Sequence, residues 1–407
     1  MRVALLKGQS VYGVLRAFVD DVAAGFVARG WDAQILDFEH NNVADLPKLL
    51  AAGGPLDLVF SVNAFAEFRD GQGRTITDLT GAPHILQYVD YPLHTFTRFC
   101  ALPQSTAVLL VDHSHVRTVN ALFGEDRFAF LGFGPHGGLG APVAMPQSAA
   151  EWAQQRPIQI LFAASNYKPS DNLWEGIPDM LRGVFKNAVD MALATEWIAP
   201  LDALDAALAA HGLDPRDPTL GAAERQDLRN IRILASLVQE TVRRERRQRF
   251  VAAARKVGLP LTVVGNGWNG VPGIAENKGP VAIEECISLM RQARLCISLS
   301  GNFGEGSHER PLSAMLAGAA VACDATRFYE QSFAPQREIA LFHWMSLEAD
   351  LARLTALSRN TEALFAMAEL GHSAASRAHR WDNRVDTYLD VGRAVSRKLG
   401  LSSRLAA

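Results

Sequence analysis

Short apolar runs alternate with longer segments in which apolar residues recur at helical spacing. In the first third of the chain the runs occupy residues 3–6, 32–38, 56–62, 84–89 and 107–111. Apolar runs of this length, separated by helical patterns, predict buried strands joined by helices. Alternating strands and helices form a parallel, doubly wound sheet, and ligands bind such sheets beyond the carboxyl ends of the strands.

A second series of strand-like runs follows at residues 158–163, 260–264, 295–299, 319–323 and 338–342. The intervening stretch from about 175 to 257 is helical in pattern and reads as an insertion in the second series. A segment rich in Gly, Pro, Ala and Ser at 137–151 indicates a linker. With 407 residues the chain is long enough for two domains. We expect them at 1–150 and 151–375, followed by a terminal helical segment at 376–407.

Polar residues gather where the strands of the first half end. Asp90 and His94 flank Pro92, and an Asp and a His at this spacing could act as a base and its orienting partner. Asp90 could equally cap the following helix. His136 stands in a glycine-rich loop and is a third candidate, although a plain loop histidine is an even alternative. The turn at residues 8–10 lacks a Gly-x-Gly-x-x-Gly fingerprint, so a nicotinamide cofactor is not supported.

The most informative stretch begins at the apolar run 295–299. A loop with three glycines follows, and then a helix that we expect from about Ser307 to Ala317. The N-terminus of such a helix suits a phosphate, because its N–H groups are free and its dipole is positive there. Arg310 can grip a diphosphate with its fork of donors. Glu305 can accept hydrogen bonds from sugar hydroxyls.

This stretch resembles the donor-binding motif of GT-B glycosyltransferases, especially the group similar to the spore maturation protein CgeB. The resemblance rests on the element His308-Glu309-Arg310-Pro311, the small-residue helix after it and the Gly-Ala turn. It covers about residues 155–395. The broader retaining families carry a second glutamate where this chain has Ser313, and that glutamate binds the nucleotide ribose. Either another group such as Asp324 holds the ribose here, or the donor binds more weakly.

The resemblance implies two Rossmann-like α/β domains that face each other across a cleft, with a C-terminal helix that crosses back to the first. It implies a glycosyltransferase that takes a nucleotide sugar as co-substrate and needs no cofactor or metal. The first domain would bind the acceptor through Gly8, Gln9 and Ser10 and supply a base among Asp90, His94 and His136. The expected donor-binding residues are Ser165, Asn166, Lys168, Gly265, Trp268, Asn302, Glu305, Gly306, Ser307, His308, Glu309, Arg310 and Ser313.

Composition limits the partners. The formal charge is −3, with 20% charged residues, so we expect no nucleic-acid partner. A run of arginines at 243–249 reads first as a solvated helix face and otherwise as a contact for an anionic partner, including peripheral contact with membrane lipid. The acceptor is left open among glycans, lipid-linked glycans and proteins. The four cysteines lack metal-type spacing and fit a cytoplasmic protein.

Two alternatives remain at this point. A sugar-nucleotide epimerase would share the GT-B architecture but would bring an acid and a base onto the donor sugar. A non-catalytic nucleotide-sugar-binding paralogue is suggested by Ser313. The joint presence of Glu305, His308, Glu309 and Arg310 argues against it.

Overall fold

The computed structural model describes residues 1–167, 171–301 and 303–406. Two six-stranded parallel sheets organise them. The prediction of two doubly wound α/β domains is therefore confirmed.

The first sheet is nearly all buried in its central strands, as the apolar runs predicted. Its strands are β1 (Arg2–Lys7), β2 (Asp32–Asp37), β3 (Leu58–Val62), β4 (His84–Tyr88), β5 (Thr106–Leu110) and β6 (Phe130–Phe133). The helices between them are α1 (Val14–Ala28), α2 (Leu46–Ala51), α3 (Ile76–Thr80), α4 (Phe96–Ala101) and α5 (His113–Phe123). A 3-10 turn, Pro92–Thr95, follows β4.

The second sheet follows the same design after α6 (Ala149–Gln154). Its strands are β7 (Ile158–Ala163), β8 (Leu261–Val264), β9 (Ile274–Asn277), β10 (Ala293–Ser298), β11 (Ala320–Asp324) and β12 (Ala340–Phe342). Its helices are α11 (Ile283–Arg291), α12 (Glu309–Leu316), α13 (Arg327–Ser332), α14 (Leu347–Leu357) and α15 (Thr361–Ala378). Neighbouring strands follow the order β2-β1-β3-β4-β5-β6 in the first sheet and β12-β11-β10-β7-β8-β9 in the second.

A helical insertion separates β7 from β8. It consists of α7 (Asp179–Leu193), α8 (Pro200–Ala210), α9 (Ala222–Arg232) and α10 (Ala235–Lys256). Its apolar residues form one core with Tyr91, Leu93 and Leu122 of the first domain. The insertion therefore belongs to the second domain by sequence but packs on both, and it closes one side of the cleft.

The last helix, α16 (Val385–Leu399), returns to the first domain. Tyr388 packs on Phe60 of the first sheet with ring centroids 4.8 Å apart, and its hydroxyl donates to Gln87 Oε1. The predicted C-terminal crossover helix is confirmed. Together with the insertion, it fixes how the carboxyl ends of the two sheets face each other.

Candidate active site

A cavity of about 200 Å³ lies between the two domains, at the carboxyl ends of both sheets. Residues from both halves of the sequence meet there, as the fold predicts for a ligand site. The first domain contributes Val14, Leu15, Phe18, Val89, Asp90 and His136, and the second contributes Arg243, Arg247, Leu299, Ser300, Gly301, Phe303, His308, Glu309 and Arg310.

The loop after β10 reaches this cavity because two of its glycines allow close approach. A Cβ on Gly306 would lie 2.0 Å from the carbonyl oxygen of Val111 in the first domain. A Cβ on Gly304 would lie 1.8 Å from the ring of Trp197 in the insertion. Side chains at either position would push this loop away from its neighbours, so the glycines set the width of the cleft.

His308, Glu309 and Arg310 form a connected group at the start of α12. Arginine can only donate, so the 2.7 Å contact between Arg310 Nη2 and His308 Nε2 makes Nε2 the acceptor. His308 Nδ1 therefore carries the proton and donates to the Glu309 carboxylate. Burial, followed by the charge of Arg310, lowers the pKa of His308, so the imidazole is neutral at pH 7.

Glu309 is the buried anion of this group. Burial alone would raise its pKa, but His308 and Arg310 outweigh that effect and hold the pKa of Glu309 at about 2. The Arg310 guanidinium also donates to the carbonyl oxygen of Ala163 at the end of β7. Glu309 thus fixes the histidine and the arginine in place, and Arg310 stays on the cavity wall.

Two arginines of α10, one turn apart, complete the basic wall. Arg247 is buried and donates to the carbonyl oxygen of Ser165. Arg243 pairs with Glu240 at 2.7 Å and lies over the ring of Tyr167. Among the described residues, the Nε atoms of Arg243 and Arg247 have no hydrogen-bond partner. Both Nε atoms are buried.

The charges of the three arginines are incompletely balanced. Burial, followed by the like charges of Arg310 and Arg243, lowers the pKa of Arg247 to about 9. Arg247 remains protonated at pH 7, but in a state that its surroundings do not favour. An anion in the cavity would offset both the cost of desolvation and the repulsion, so this wall is suited to an anion.

Asp90 is the acidic group of the opposite wall. Its carboxylate is solvent-accessible at the cavity and accepts a hydrogen bond of 2.7 Å from Asn63 Nδ2. The protein that surrounds it on several sides raises its pKa through desolvation, against smaller opposing effects of His94 and His115. Asp90 is thus a stronger base than an ordinary aspartate.

His136 and His94 differ in placement. The buried ring of His136 lines the cavity, and its Nδ1 donates to the carbonyl oxygen of Ser307 over 2.5 Å. Burial lowers the pKa of His136 to about 3, so it is neutral and weakly basic. The exposed His94 bonds through Nε2 to Gln239 of the insertion, 2.6 Å away, and does not line the cavity. The predicted Asp90–His94 couple is therefore not seen as a direct contact.

Glu305, expected at the donor sugar, binds the first domain instead. Arg117 donates to both carboxylate oxygens of Glu305, at 2.6 and 2.7 Å. The backbone N–H of Glu305 donates to the Asp112 carboxylate. The hydrogen bonds from Arg117 hold the pKa of Glu305 below its usual value. Glu305 does not line the cavity in this arrangement because its acceptor oxygens are engaged across the cleft.

Ser307, Ser313 and Asp324 have structural hydrogen bonds. Ser307 Oγ accepts from the backbone of His136. Ser313 Oγ donates to the carbonyl of Glu309 and accepts from the backbone of Leu139. Asp324 is buried and accepts from the backbone of Ser300. These side chains join the donor motif to the linker and to the sheet, and none of them lines the cavity.

Trp268, expected among the donor-binding residues, lies in the core of the second domain instead. Trp268 is 2% exposed, packs on Phe162 and donates its indole N–H to the carbonyl of Ala164. The Gly-x-Gly turn before it packs closely against the end of the neighbouring strand. A Cβ on Gly265 would lie 2.7 Å from the carbonyl oxygen of Ala164. The turn brings an indole into the core.

Five other predicted residues do not line the cavity. Ser165 Oγ accepts from the backbone of Asn266, and Asn166 Oδ1 accepts from Gln248. On the acceptor side, Gly8 O accepts from Arg16 and Ser10 Oγ accepts from the backbone of Leu15, while Gln9 is exposed. The predicted Lys168 and Asn302 lie outside the described residues.

Arg243 and Arg247 are functional candidates that the sequence interpretation had placed on a solvated helix face. The sequence did contain a signal for the pair, because Arg243 and Arg247 are four positions apart and residues at that spacing lie on one face of a helix. The adjacent Arg249 is exposed. Only the packing of α10 across the cleft shows which arginines face the cavity.

The described residues contain no group of three or more His, Cys, Asp or Glu side chains arranged to hold a metal ion. Among the same residues we find no helix with the length and apolar character needed to cross a bilayer.

Comparison with known proteins places the fold. Residues 243–390 match a protein-family model described as glycosyl transferase-like. An alpha-glucosyltransferase in complex with UDP-glucose and DNA has a TM-score of 0.52 at 10% identity, over 96% of this chain and 99% of that chain. An alpha-glucosyltransferase in complex with UDP and a 13-mer DNA gives a TM-score of 0.51 at 10% identity, again over 96% of this chain and 99% of that chain. A comparison with curated protein sequences gave no significant match. The chain has the GT-B fold, and that prediction is confirmed.

One expectation about partners is wrong. The small net negative charge was taken to exclude nucleic acid, yet proteins of similar fold are seen bound to DNA. Overall charge does not decide the matter because nucleic acid is bound by a local basic surface.

Proposed function

We propose that this chain is a glycosyltransferase that moves a sugar from a nucleotide-diphosphate sugar to an acceptor hydroxyl. The observation that carries the proposal is the convergence of Arg243, Arg247 and Arg310 on one interdomain cavity, opposite Asp90. The match of residues 243–390 to a glycosyl transferase-like model includes all three arginines. The element His308 to Pro311 favours the CgeB-like group within that class.

The basic wall would bind the donor diphosphate. As the bond between sugar and phosphate breaks, negative charge grows on the leaving nucleoside diphosphate. Preorganised guanidinium groups stabilise that charge without reorganising, which lowers the barrier. Arg310 is held by His308 and Ala163, and Arg247 by Ser165. We propose that these groups perform the charge neutralisation that a divalent cation performs elsewhere.

Asp90 would take the proton of the acceptor. Its carboxylate is on the cavity, and desolvation raises its pKa. His136 is the weaker candidate because its pKa is about 3 and its Nδ1–H is committed to Ser307. We assign the acceptor side to residues 1–150, the donor side to 151–375 and the crossing helix to 376–407.

The donor panel should begin with UDP and UDP-glucose, because the alpha-glucosyltransferase of similar fold is seen with both. Thermal shift against nucleoside diphosphates and nucleotide sugars tests the donor site. At about 100 times its dissociation constant a ligand adds roughly 2.7 kcal/mol of stability, which shifts the melting temperature visibly. We expect one nucleotide family to stabilise the wild type and to lose this effect in Arg247→Gln.

Chemistry is tested by following release of nucleoside diphosphate from the donor that stabilises the protein. A transferase releases it faster when an acceptor is added, whereas an epimerase interconverts the sugars and a binding protein does neither. A protein that no nucleotide stabilises would contradict the assignment of the donor site.

A further inference from the structure

The turn after β3 contains a residue in an unusual backbone conformation. Asn63 has φ of 57°, in the left-handed region that few residues other than glycine adopt. Asparagine tolerates this region better than most residues, but it still costs free energy. Such conformations persist where the surroundings hold them, and they concentrate at functional sites.

The polar groups of Asn63 are engaged with the ends of neighbouring segments. Its backbone N–H donates to Gln87 O over 3.0 Å, and its carbonyl accepts from Arg98 over 2.8 Å. Side-chain Oδ1 accepts from the backbone of Val89 over 2.8 Å. Side-chain Nδ2 donates to Asp90 Oδ2 over 2.7 Å. Asn63 is 6% exposed. These hydrogen bonds join the end of β3 to the end of β4 and hold the Asn63 side chain in one orientation.

This geometry acts on Asp90 in two ways. The hydrogen bond engages one carboxylate oxygen and fixes the plane of the group, so the other oxygen can face the cavity. A hydrogen bond donated to a carboxylate also favours its charged form. Among the described residues, the other charged or titratable groups that act on Asp90 include His94 in the turn after β4, His115 on α5, Glu309 on α12 and Arg243 on α10. Tyr88 on β4 also interacts with it.

We propose that Asn63 is a positioning residue that aims the Asp90 carboxylate at the acceptor hydroxyl. The proposal rests on the proposed function. In the step it serves, the acceptor oxygen bonds to the anomeric carbon while the bond from that carbon to the diphosphate oxygen breaks. The bonding pair leaves with the nucleoside diphosphate, and the hydroxyl proton passes to Asp90.

Asn63→Gly is the first test, because glycine keeps the left-handed backbone and removes only the side-chain bonds. Asn63→Asp is the second: it keeps the size but replaces the donor with a second carboxylate. The readouts are UDP affinity by calorimetry and release of UDP from UDP-glucose, with water as acceptor, as a function of pH. We expect UDP affinity to be unchanged in both variants. The acid limb of the pH profile of UDP release should move to higher pH by about 0.5–1 unit in Asn63→Gly, and further in Asn63→Asp.

A readout independent of turnover separates this proposal from the proposed function. Carbon-13 NMR of protein labelled at aspartate follows the Asp90 carboxyl, assigned by its loss in Asp90→Asn. We expect Asp90 to titrate at higher pH in both Asn63 variants, even if UDP-glucose proves not to be a substrate. Unchanged Asp90 titration in folded variants would overturn the role of Asn63. Failure of UDP or any other nucleotide to bind would overturn the function alone.

Discussion

The two walls of the cavity each carry a carboxylate beyond the carboxyl end of a parallel strand, Asp90 after β4 and Glu309 at the start of α12. Their surroundings shift the pKa values of the two groups in opposite directions. Desolvation raises the pKa of Asp90 on the first-domain wall. On the second-domain wall, His308 and Arg310 hold the pKa of Glu309 at about 2. Environments that separate two carboxyl groups in this way assign them different tasks. Asp90 is suited to accept a proton, and Glu309 is a permanent anion that holds His308 and Arg310 in place.

The largest effect is expected from Asp90→Asn. Removing a general base lowers turnover by roughly 100- to 10,000-fold, and the amide keeps the size of the side chain. UDP affinity should stay the same because we assign the diphosphate to the other wall. Steady-state kinetics together with calorimetry checks both. His94→Ala is the comparison variant, since that side chain bonds to Gln239, and its effect should be far smaller. An equal loss of turnover in Asp90→Asn and His94→Ala would contradict the assignment of Asp90 as the base.

Arg247→Gln and Arg310→Gln should each weaken UDP binding by about 10- to 100-fold, the value of a charge-assisted hydrogen bond to phosphate. The matched control is Arg249→Gln, on the same helix but exposed. Calorimetry at constant ionic strength measures all three. The second-domain wall would lose its role as the anion site if Arg249→Gln weakened binding as much as Arg247→Gln.

Glu309→Gln should change the response to acid. Between about pH 4.5 and pH 2 an unfolded glutamate is protonated while folded Glu309 stays ionised, so the unfolded state binds more protons. The free energy of unfolding therefore falls as pH falls through this window, and the variant should lose part of that slope. Urea unfolding at several pH values measures it. A wild type and variant with the same slope would mean that Glu309 is not held as an anion.

The smallest effect is expected at the contact that joins the walls. Arg117 and Glu305 have side chains 53% and 17% exposed, so solvent screens the pair. Glu305→Gln should cost about 1 kcal/mol or less in stability. If the pair holds the cleft closed, small-angle scattering should show a larger radius of gyration in the variant. An unchanged radius of gyration would mean that the Arg117–Glu305 pair does not hold the cleft closed.

The architecture could be predicted because it depends on periodicity. Buried parallel strands appear as continuous apolar runs, and helices carry their own spacing. Strand β9 was not predicted because its residues are half-exposed or exposed at the sheet edge. Strand β9 therefore lacks the apolar run on which the prediction depends.

The site could be predicted only in part. His308, Glu309 and Arg310 were found because local sequence places them at one helix start. Asp90 was found because it follows a strand. Glu305 was assigned to the donor because sequence does not show that Arg117, 188 residues away, reaches it.

The measurement that tests the account most directly is a crystal structure of the chain with UDP. We predict the diphosphate oxygens within hydrogen-bond distance of Arg247 and Arg310, with Asp90 on the opposite side of the same cavity. A second cavity of about 400 Å³, lined by Leu341, Arg353 and Met367, lies on the far edge of the second sheet. UDP bound there, with the interdomain cavity empty, would contradict the assignment.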